Sequence, residues 1–327
     1  MRRTKSAVRK EQPVPAGVVG LGLMGTSIVT CLLAAGHPVV GIDIDPSRRR
    51  NLKRRVSVLL RDMRRQKLLS KDPAGRLKQL RTARDLDGLA DCGLVIESIF
   101  ENLDEKRAVI RGIEGAVSAT TLIGSNTSSL PVTELQRGAC HPGRILGIHW
   151  GEPAHILRFL EVICGEQTDP LNAEKVLRLA SLWNKEPTLV RRDVCGFITN
   201  RIMYAMMREA FYLVENGYAS VEDVDRSVRN DMGYWFTLAG PFRYMDLTGI
   251  PAYAAVMRDL LPDLSCAKDI PKLMQDVVAS GARGISNAKG FYSYTPAEAK
   301  GWEKRFIDFS YEIRALALKY AEHPKKV

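Results

Sequence analysis

No apolar run in the 327 residues approaches the roughly 18 that a membrane-crossing helix needs. No membrane association is therefore expected. The six cysteines (Cys31, Cys92, Cys140, Cys164, Cys195 and Cys266) contain no CxxC pair. That argues against a zinc ribbon or a disulfide framework and suits a reducing, cytoplasmic setting, with no metal expected. The opening MRRTKSAVRK is basic but lacks the apolar stretch of a secretory signal. There is no internal repeat and no low-complexity tract. What is present is ordinary: 45% hydrophobic and 26% charged residues, enough for two globular domains.

The charge is uneven. The chain carries a formal +11. Residues 1–11 hold +4 and residues 47–84 hold +13, so the remainder is −6. A mildly acidic body thus carries one strongly basic segment and a basic tail at 1–13. Such a segment suits an anionic partner, either nucleic acid or a phosphorylated small molecule. Residues 47–84 contain no Phe, Tyr or Trp to stack on bases, which disfavours nucleic acid.

Short β-branched runs alternate with helical stretches over the first 190 residues. They are Val14 to Gly20, Pro38 to Asp43, Gly93 to Glu97, Thr120 to Ser125, Ile145 to His149, Leu157 to Ile163 and Thr188 to Arg191. This alternation predicts a doubly wound α/β domain around a parallel sheet. From Phe197 to Glu322 the pattern is helical, so residues 14–192 and 193–327 read as an α/β domain and an all-α domain. Ile198, Ile202, Ala205, Met206, Ala210 and Leu213 share one helix face.

The first strand runs into Gly20-Leu21-Gly22-Leu23-Met24-Gly25 and then a helix ending at Gly36. Gly20 permits a tight turn, Gly22 lets backbone approach a pyrophosphate, and Gly25 lets helix and strand pack closely. Leu23 and Met24 open the helix whose free N–H groups face the phosphates. A second strand ends in Asp43, where a carboxylate can accept hydrogen bonds from the adenine ribose. The combination predicts a Rossmann-type site for NAD. The carboxylate disfavours NADP, while Arg48 to Arg50 keep it from being excluded.

His149 ends a predicted strand, where ligands bind in open parallel sheets. Glu161 lies twelve residues on, inside another apolar run, and needs a partner there. A histidine held by a carboxylate at one nitrogen can act as a base through the other. His155 competes for the role because it also precedes Glu161. His37, His141 and His323 look structural or exposed.

These residues carry a resemblance. The chain resembles the L-3-hydroxyacyl-CoA dehydrogenase family in its short single-function form. The landmarks are GLGLMG with Asp43, Glu97-Ser98-Ile99 with Glu101-Asn102 and Lys106, Ser125-Asn126-Thr127-Ser128-Ser129, His149 to Glu161, Gly196 to Arg201, Gly240-Pro241-Phe242 and Lys289-Gly290-Phe291-Tyr292. They fall in order over roughly residues 16–295. The resemblance implies His149 as the base, with Glu161 orienting it. It implies Ser128 and Asn200 as donors to the reacting oxygen, and Glu101, Lys106, Asn126 and Ser128 beside the cofactor. It implies a homodimer through the C-terminal helices. It also implies that residues 47–84 form an inserted helical arm contacting CoA, with Arg61, Arg64, Arg65 and Lys67 as anion partners. Leu52, Val56, Leu59, Leu60 and Met63 would face inward from one helix of that arm, and Leu68, Leu69, Leu77 and Leu80 from a second.

Two features depart from the family. Glu152-Pro153 stands where the family has Asn-Pro, a carboxylate for Arg158 or Arg144 to neutralise. The aromatic run Tyr234-Trp235-Phe236 is similar to dehydrogenases of small free acids, such as the gulonate and carnitine types. The expected reaction is oxidation of a short-chain L-3-hydroxyacyl-CoA. The alternatives are a free 3-hydroxy or sugar acid, or an NAD-binding protein without turnover.

Overall fold

The computed structural model describes residues 11–321. Most of the basic tail at 1–13, and His323, lie outside the described residues. Eight short strands make one sheet: β1 (Ala16–Val19), β2 (Val39–Ile42), β3 (Leu80–Ala83), β4 (Leu94–Glu97), β5 (Leu122–Ser125), β6 (Ile145–Trp150), β7 (Phe159–Ile163) and β8 (Glu186–Val190). Their spatial order is β3-β2-β1-β4-β5-β6-β7-β8.

All neighbours are parallel except β6 and β7. The expected parallel sheet is present, with this one antiparallel pair. Residues 151–158 hold no crossover helix, so the chain can only turn back on itself. This reversal sets His149 directly opposite Glu161 in the cross-strand register. The spacing of twelve is thus a hairpin spacing.

Six helices flank the sheet: α1 (Leu23–Ala35), α2 (Pro46–Arg65), α3 (Pro73–Leu77), α4 (Leu103–Ala116), α5 (Val132–Gln136) and α6 (Pro170–Leu182). Two large apolar cores result, beside a small third of Val132, Ile163, Val190 and Phe197. One includes Ile28, Leu32, Leu52 and Val176; the other includes Val40, Val95, Ile110 and Ile113. Each fully buried side chain of this kind contributes about 1.5–3 kcal/mol.

The segment 47–84 is more integrated than an inserted arm. Asp45 caps α2, Pro46 opens it, and Leu52, Val56, Leu60 and Met63 are buried against the same core as α1. The second helix expected around Pro73 is a single short turn of five residues. Leu80 belongs instead to β3, a strand missing from the expectation. Its polar Arg81 and Thr82 conceal the strand pattern, since only Leu80 of its four residues is buried.

Residues from Arg201 onward form a second compact unit. Its helices are α7 (Thr199–Glu215), α8 (Val221–Asn230), α9 (Met232–Phe236), α10 (Pro241–Thr248), α11 (Ile250–Leu260), α12 (Lys272–Ala279) and α13 (Pro296–Tyr320). α13 opens on a capping box in which Thr295 and Glu298 bond each other's backbone N–H. Trp235 stacks on Tyr244 at 4.0 Å between ring centroids. Among the described residues of this unit, only Ala239, Ala299, Ser310, Tyr311 and Arg314 are buried. Ile202, Tyr204, Met207, Leu316 and Tyr320 are exposed.

No helix among the described residues is long and apolar enough to cross a membrane. No group of three or more His, Cys, Asp or Glu among them is placed to hold a metal.

Candidate active site

The glycine turn fits a dinucleotide. Gly20 has φ +95°, the left-handed region that glycine tolerates, and a Cβ there would meet the Ser98 carbonyl at 2.5 Å. A Cβ on Gly25 would lie 1.8 Å from the Gly20 carbonyl oxygen, so helix and turn can touch only because residue 25 has no side chain. A Cβ on Gly22 meets nothing within 4 Å, which leaves an open approach to backbone. Leu23 and Met24 begin α1, whose first N–H groups lack intrahelical partners. Asp43 accepts from the Leu21 N–H at 2.7 Å and from the Asp45 N–H at 2.9 Å, which fixes its carboxylate beyond β2. Carboxylate oxygens keep further lone pairs for hydroxyl donors.

Behind the next strand ends lies a buried charge network. Glu97 is fully buried; it accepts from Lys106 at 2.8 Å, from the Ile99 N–H at 2.7 Å and from the Ser125 hydroxyl. Lys106 also reaches Glu101 at 3.4 Å. Glu101 in turn accepts from the Thr127 hydroxyl at 2.6 Å and from the Ser128 and Ser129 N–H groups at 2.9 and 3.1 Å. Burial alone would raise the Glu101 carboxyl. The Thr127 hydroxyl, the Lys106 ammonium and the two N–H groups outweigh it and hold the group below its ordinary value.

Lys106, expected to line the cofactor site, is fully enclosed. An ammonium without solvent exposure serves its two carboxylates, so here it braces Glu101 from behind. Asn126 is likewise committed. Its Nδ2 donates to the Ser98 hydroxyl at 3.2 Å and its Oδ1 accepts from the Trp150 N–H at 3.0 Å. Thr127 and Ser129 were missed in the sequence, where a run of hydroxyls reads as ordinary turn chemistry.

His149 is 8% exposed. Its Nδ1 lies 2.9 Å from Glu161 Oε2. A carboxylate only accepts, so Nδ1 carries the proton and Nε2 is left with a lone pair. Phe159 meets the ring edge-on at 5.3 Å, and Phe197 packs at 5.8 Å. The other oxygen of Glu161 accepts from the Ile198 and Thr199 N–H groups at 3.2 and 3.0 Å. Burial would raise the Glu161 carboxyl, but the His149 ring and these N–H groups prevail and hold it low. Asn200, the last residue of the first compact unit, donates to the Ser128 carbonyl at 2.7 Å.

His155 is removed from contention. Its Nδ1 lies 2.9 Å from the Ser27 hydroxyl on α1, and burial near Lys185 pushes its pKa down to about 4. So weak a base has little pull on an alcohol proton. Glu152 is exposed, and neither expected neutraliser reaches it. Arg158 pairs with Glu186 at 2.8 Å. Arg144 is turned to Glu114 and to the Ser118 and Thr121 carbonyls.

The cations assigned to CoA are partly committed to their own chain. Arg64 donates to the Leu69 and Ser70 carbonyls, Arg65 pairs with Asp62 at 2.9 Å, and Arg61 donates to the Ser57 carbonyl at 3.2 Å. Lys67 is exposed at the end of the helix.

Comparison with known proteins identifies the family. Residues 15–194 match the 3-hydroxyacyl-CoA dehydrogenase NAD binding domain, and residues 196–294 match the C-terminal domain of the same enzymes. The chain is 33% identical over 284 residues to 5-formyl-3-hydroxy-2-methylpyridine 4-carboxylate 5-dehydrogenase of Mesorhizobium japonicum, covering 86% of this chain and 91% of that one. A solved structure of such a pyridine carboxylate dehydrogenase, described as an NAD+ dependent dismutase, superposes with a TM-score of 0.87 at 30% identity, covering 94% of this chain and 99% of that one. The (S)-3-hydroxybutyryl-CoA dehydrogenase of Ralstonia eutropha superposes with a TM-score of 0.72 at 30% identity, covering 87% and 100%. The glycine turn, the buried dyad and these matches together place the chain in the 3-hydroxyacyl-CoA dehydrogenase family, as an NAD-dependent oxidoreductase.

Proposed function

We propose that the protein interconverts a secondary alcohol and a ketone on a short L-3-hydroxyacyl-CoA, with His149 as the base. The His149–Glu161 contact at 2.9 Å carries this reading. In the oxidative direction His149 Nε2 takes the hydroxyl proton. Glu161 stabilises the resulting imidazolium and keeps the ring from turning. Ser128, near the Glu101 network, and Asn200 supply neutral donors to the oxygen on which charge develops. The glycine turn and Asp43 would hold NAD, which would supply the acceptor for the hydride. Phe159 and Phe197 shield one side of the imidazole from water.

The matches to both domains of the acyl-CoA enzymes support a thioester substrate. A second reading, a compact free carboxylate, is favoured by two observations. Arg64 and Arg65 are bonded to their own segment, leaving fewer cations for a nucleotide handle. The higher TM-score with the pyridine carboxylate enzyme points the same way. NADH oxidation with acetoacetyl-CoA, beside free 3-oxo acids and an aromatic formyl carboxylate, separates them. Turnover of the thioester with a KM that rises with salt and with the double variant R64A/R65A supports the first. Turnover of the free acids alone supports the second. Saturable NADH binding without turnover on the panel leaves a binding protein.

The uncovered apolar faces of α7 and α13 support a homodimer through the helical unit. Light scattering should give twice the 36.4 kDa chain mass. A monomer at micromolar concentration removes that reading.

A further inference from the structure

Arg55 belongs to none of the roles above. It lies on α2 between Leu52 and Val56, both buried, and beside the apolar stripe that anchors the helix. From there its guanidinium reaches the glycine turn. Nη1 donates to the Leu21 carbonyl at 2.9 Å and Nη2 to the Gly22 carbonyl at 3.1 Å. These are consecutive carbonyls, and the planar fork spans them.

In a trans peptide the C=O and the following N–H point in opposite directions. The Leu21 carbonyl shares its peptide plane with the Gly22 N–H, and the Gly22 carbonyl with the Leu23 N–H. A cation fixed at both oxygen ends therefore turns these two N–H groups to the opposite side. A Cβ on Gly22 would meet nothing within 4 Å, so no neighbouring group crowds that residue. Other contacts complete the clamp. Asp43 holds the Leu21 N–H, and the Thr26 hydroxyl donates to the Gly22 carbonyl at 2.7 Å.

We propose that Arg55 is a positioning residue for the cofactor pyrophosphate, setting and polarising the peptide units whose N–H groups receive it. Hydrogen bonding at one end of a peptide strengthens the donor at its other end. The guanidinium also places a positive charge behind a turn that must take up a dianion. This goes beyond the assignment of His149 and does not depend on it, because the prediction concerns binding in the absence of substrate.

The test is fluorescence titration of the full chain with NADH, and calorimetry with ADP-ribose and with adenosine, for wild type, Arg55→Met and Arg55→Lys. Arg55→Met should raise the Kd for NADH and ADP-ribose about tenfold, as expected for losing a charge-assisted pair. Arg55→Lys, a point donor unable to span both carbonyls, should fall between. Adenosine, which lacks the pyrophosphate, should bind all three alike. Should Arg55→Met fail to fold, Arg55→Lys carries the comparison. The proposal is overturned if NADH binds the variants as it binds wild type. It is equally overturned if adenosine and NADH weaken in parallel, since that would mean a general collapse of the turn.

Discussion

The glycine turn and the histidine strand stand at carboxyl ends of the same sheet, yet they are built from different material. The turn works through backbone. Its specificity lies in missing side chains at Gly20, Gly22 and Gly25, and the side chains that bond it, Asp43 and Arg55, follow closely in the chain. The histidine end works through side chains. His149 depends on Glu161, which in turn depends on Ile198 and Thr199, some 37 residues further on. Binding of the cofactor and transfer of the proton should therefore be separable by mutation.

The largest expected effect is at the histidine. His149→Ala should lower kcat by about a thousandfold, the usual weight of a general base. The Kd for NADH should stay within about twofold of wild type. A variant turning over near the wild-type rate would remove His149 as the base. Asp43→Ala should do the reverse. Titration should show NADH binding weakened about tenfold, with kcat at saturation little changed. A fall in kcat instead would show that the two ends are not independent.

A smaller effect separates His155 from His149. Burial holds His155 at about 4, below the ordinary histidine value, so the unfolded chain takes up the proton first. Its contribution to stability is complete above pH ~6.5 and is lost as the pH falls towards ~4, by about 2–3 kcal/mol. His37, also lowered by burial, acts in the same direction. Urea unfolding from pH 7 to 4.5 should therefore show a flatter decline for His155→Gln than for wild type. Parallel curves would mean that His155 does not carry the depressed pKa.

The same contrast explains what the sequence made legible. The turn is visible because its signal is local: strand, glycines, helix and Asp43 follow in one stretch. The His149–Glu161 pair is visible through a histidine at a strand end and the cost of a carboxylate inside an apolar run, whereas the hairpin that sets them opposite each other is not. The enclosure of Lys106 was not visible, because its exposure depends on how α4 seats against β4 and the serine loop. Arg55 was hidden among the other basic residues of 47–84, where nothing local sets one arginine apart. β3 was hidden because an edge strand with one buried residue leaves almost no alternating pattern.

That edge strand has a consequence for the life of the protein in a crowded solution. A sheet of eight strands ends in two rows of backbone groups that could recruit another chain. At one end β3 is four residues long and carries Arg81, with Arg84 just beyond it. At the other, β8 includes Pro187, which has no N–H to offer. Cationic side chains at one border and a missing donor at the other both disfavour the addition of a further strand. Part of the positive charge thus stands where it discourages edge pairing.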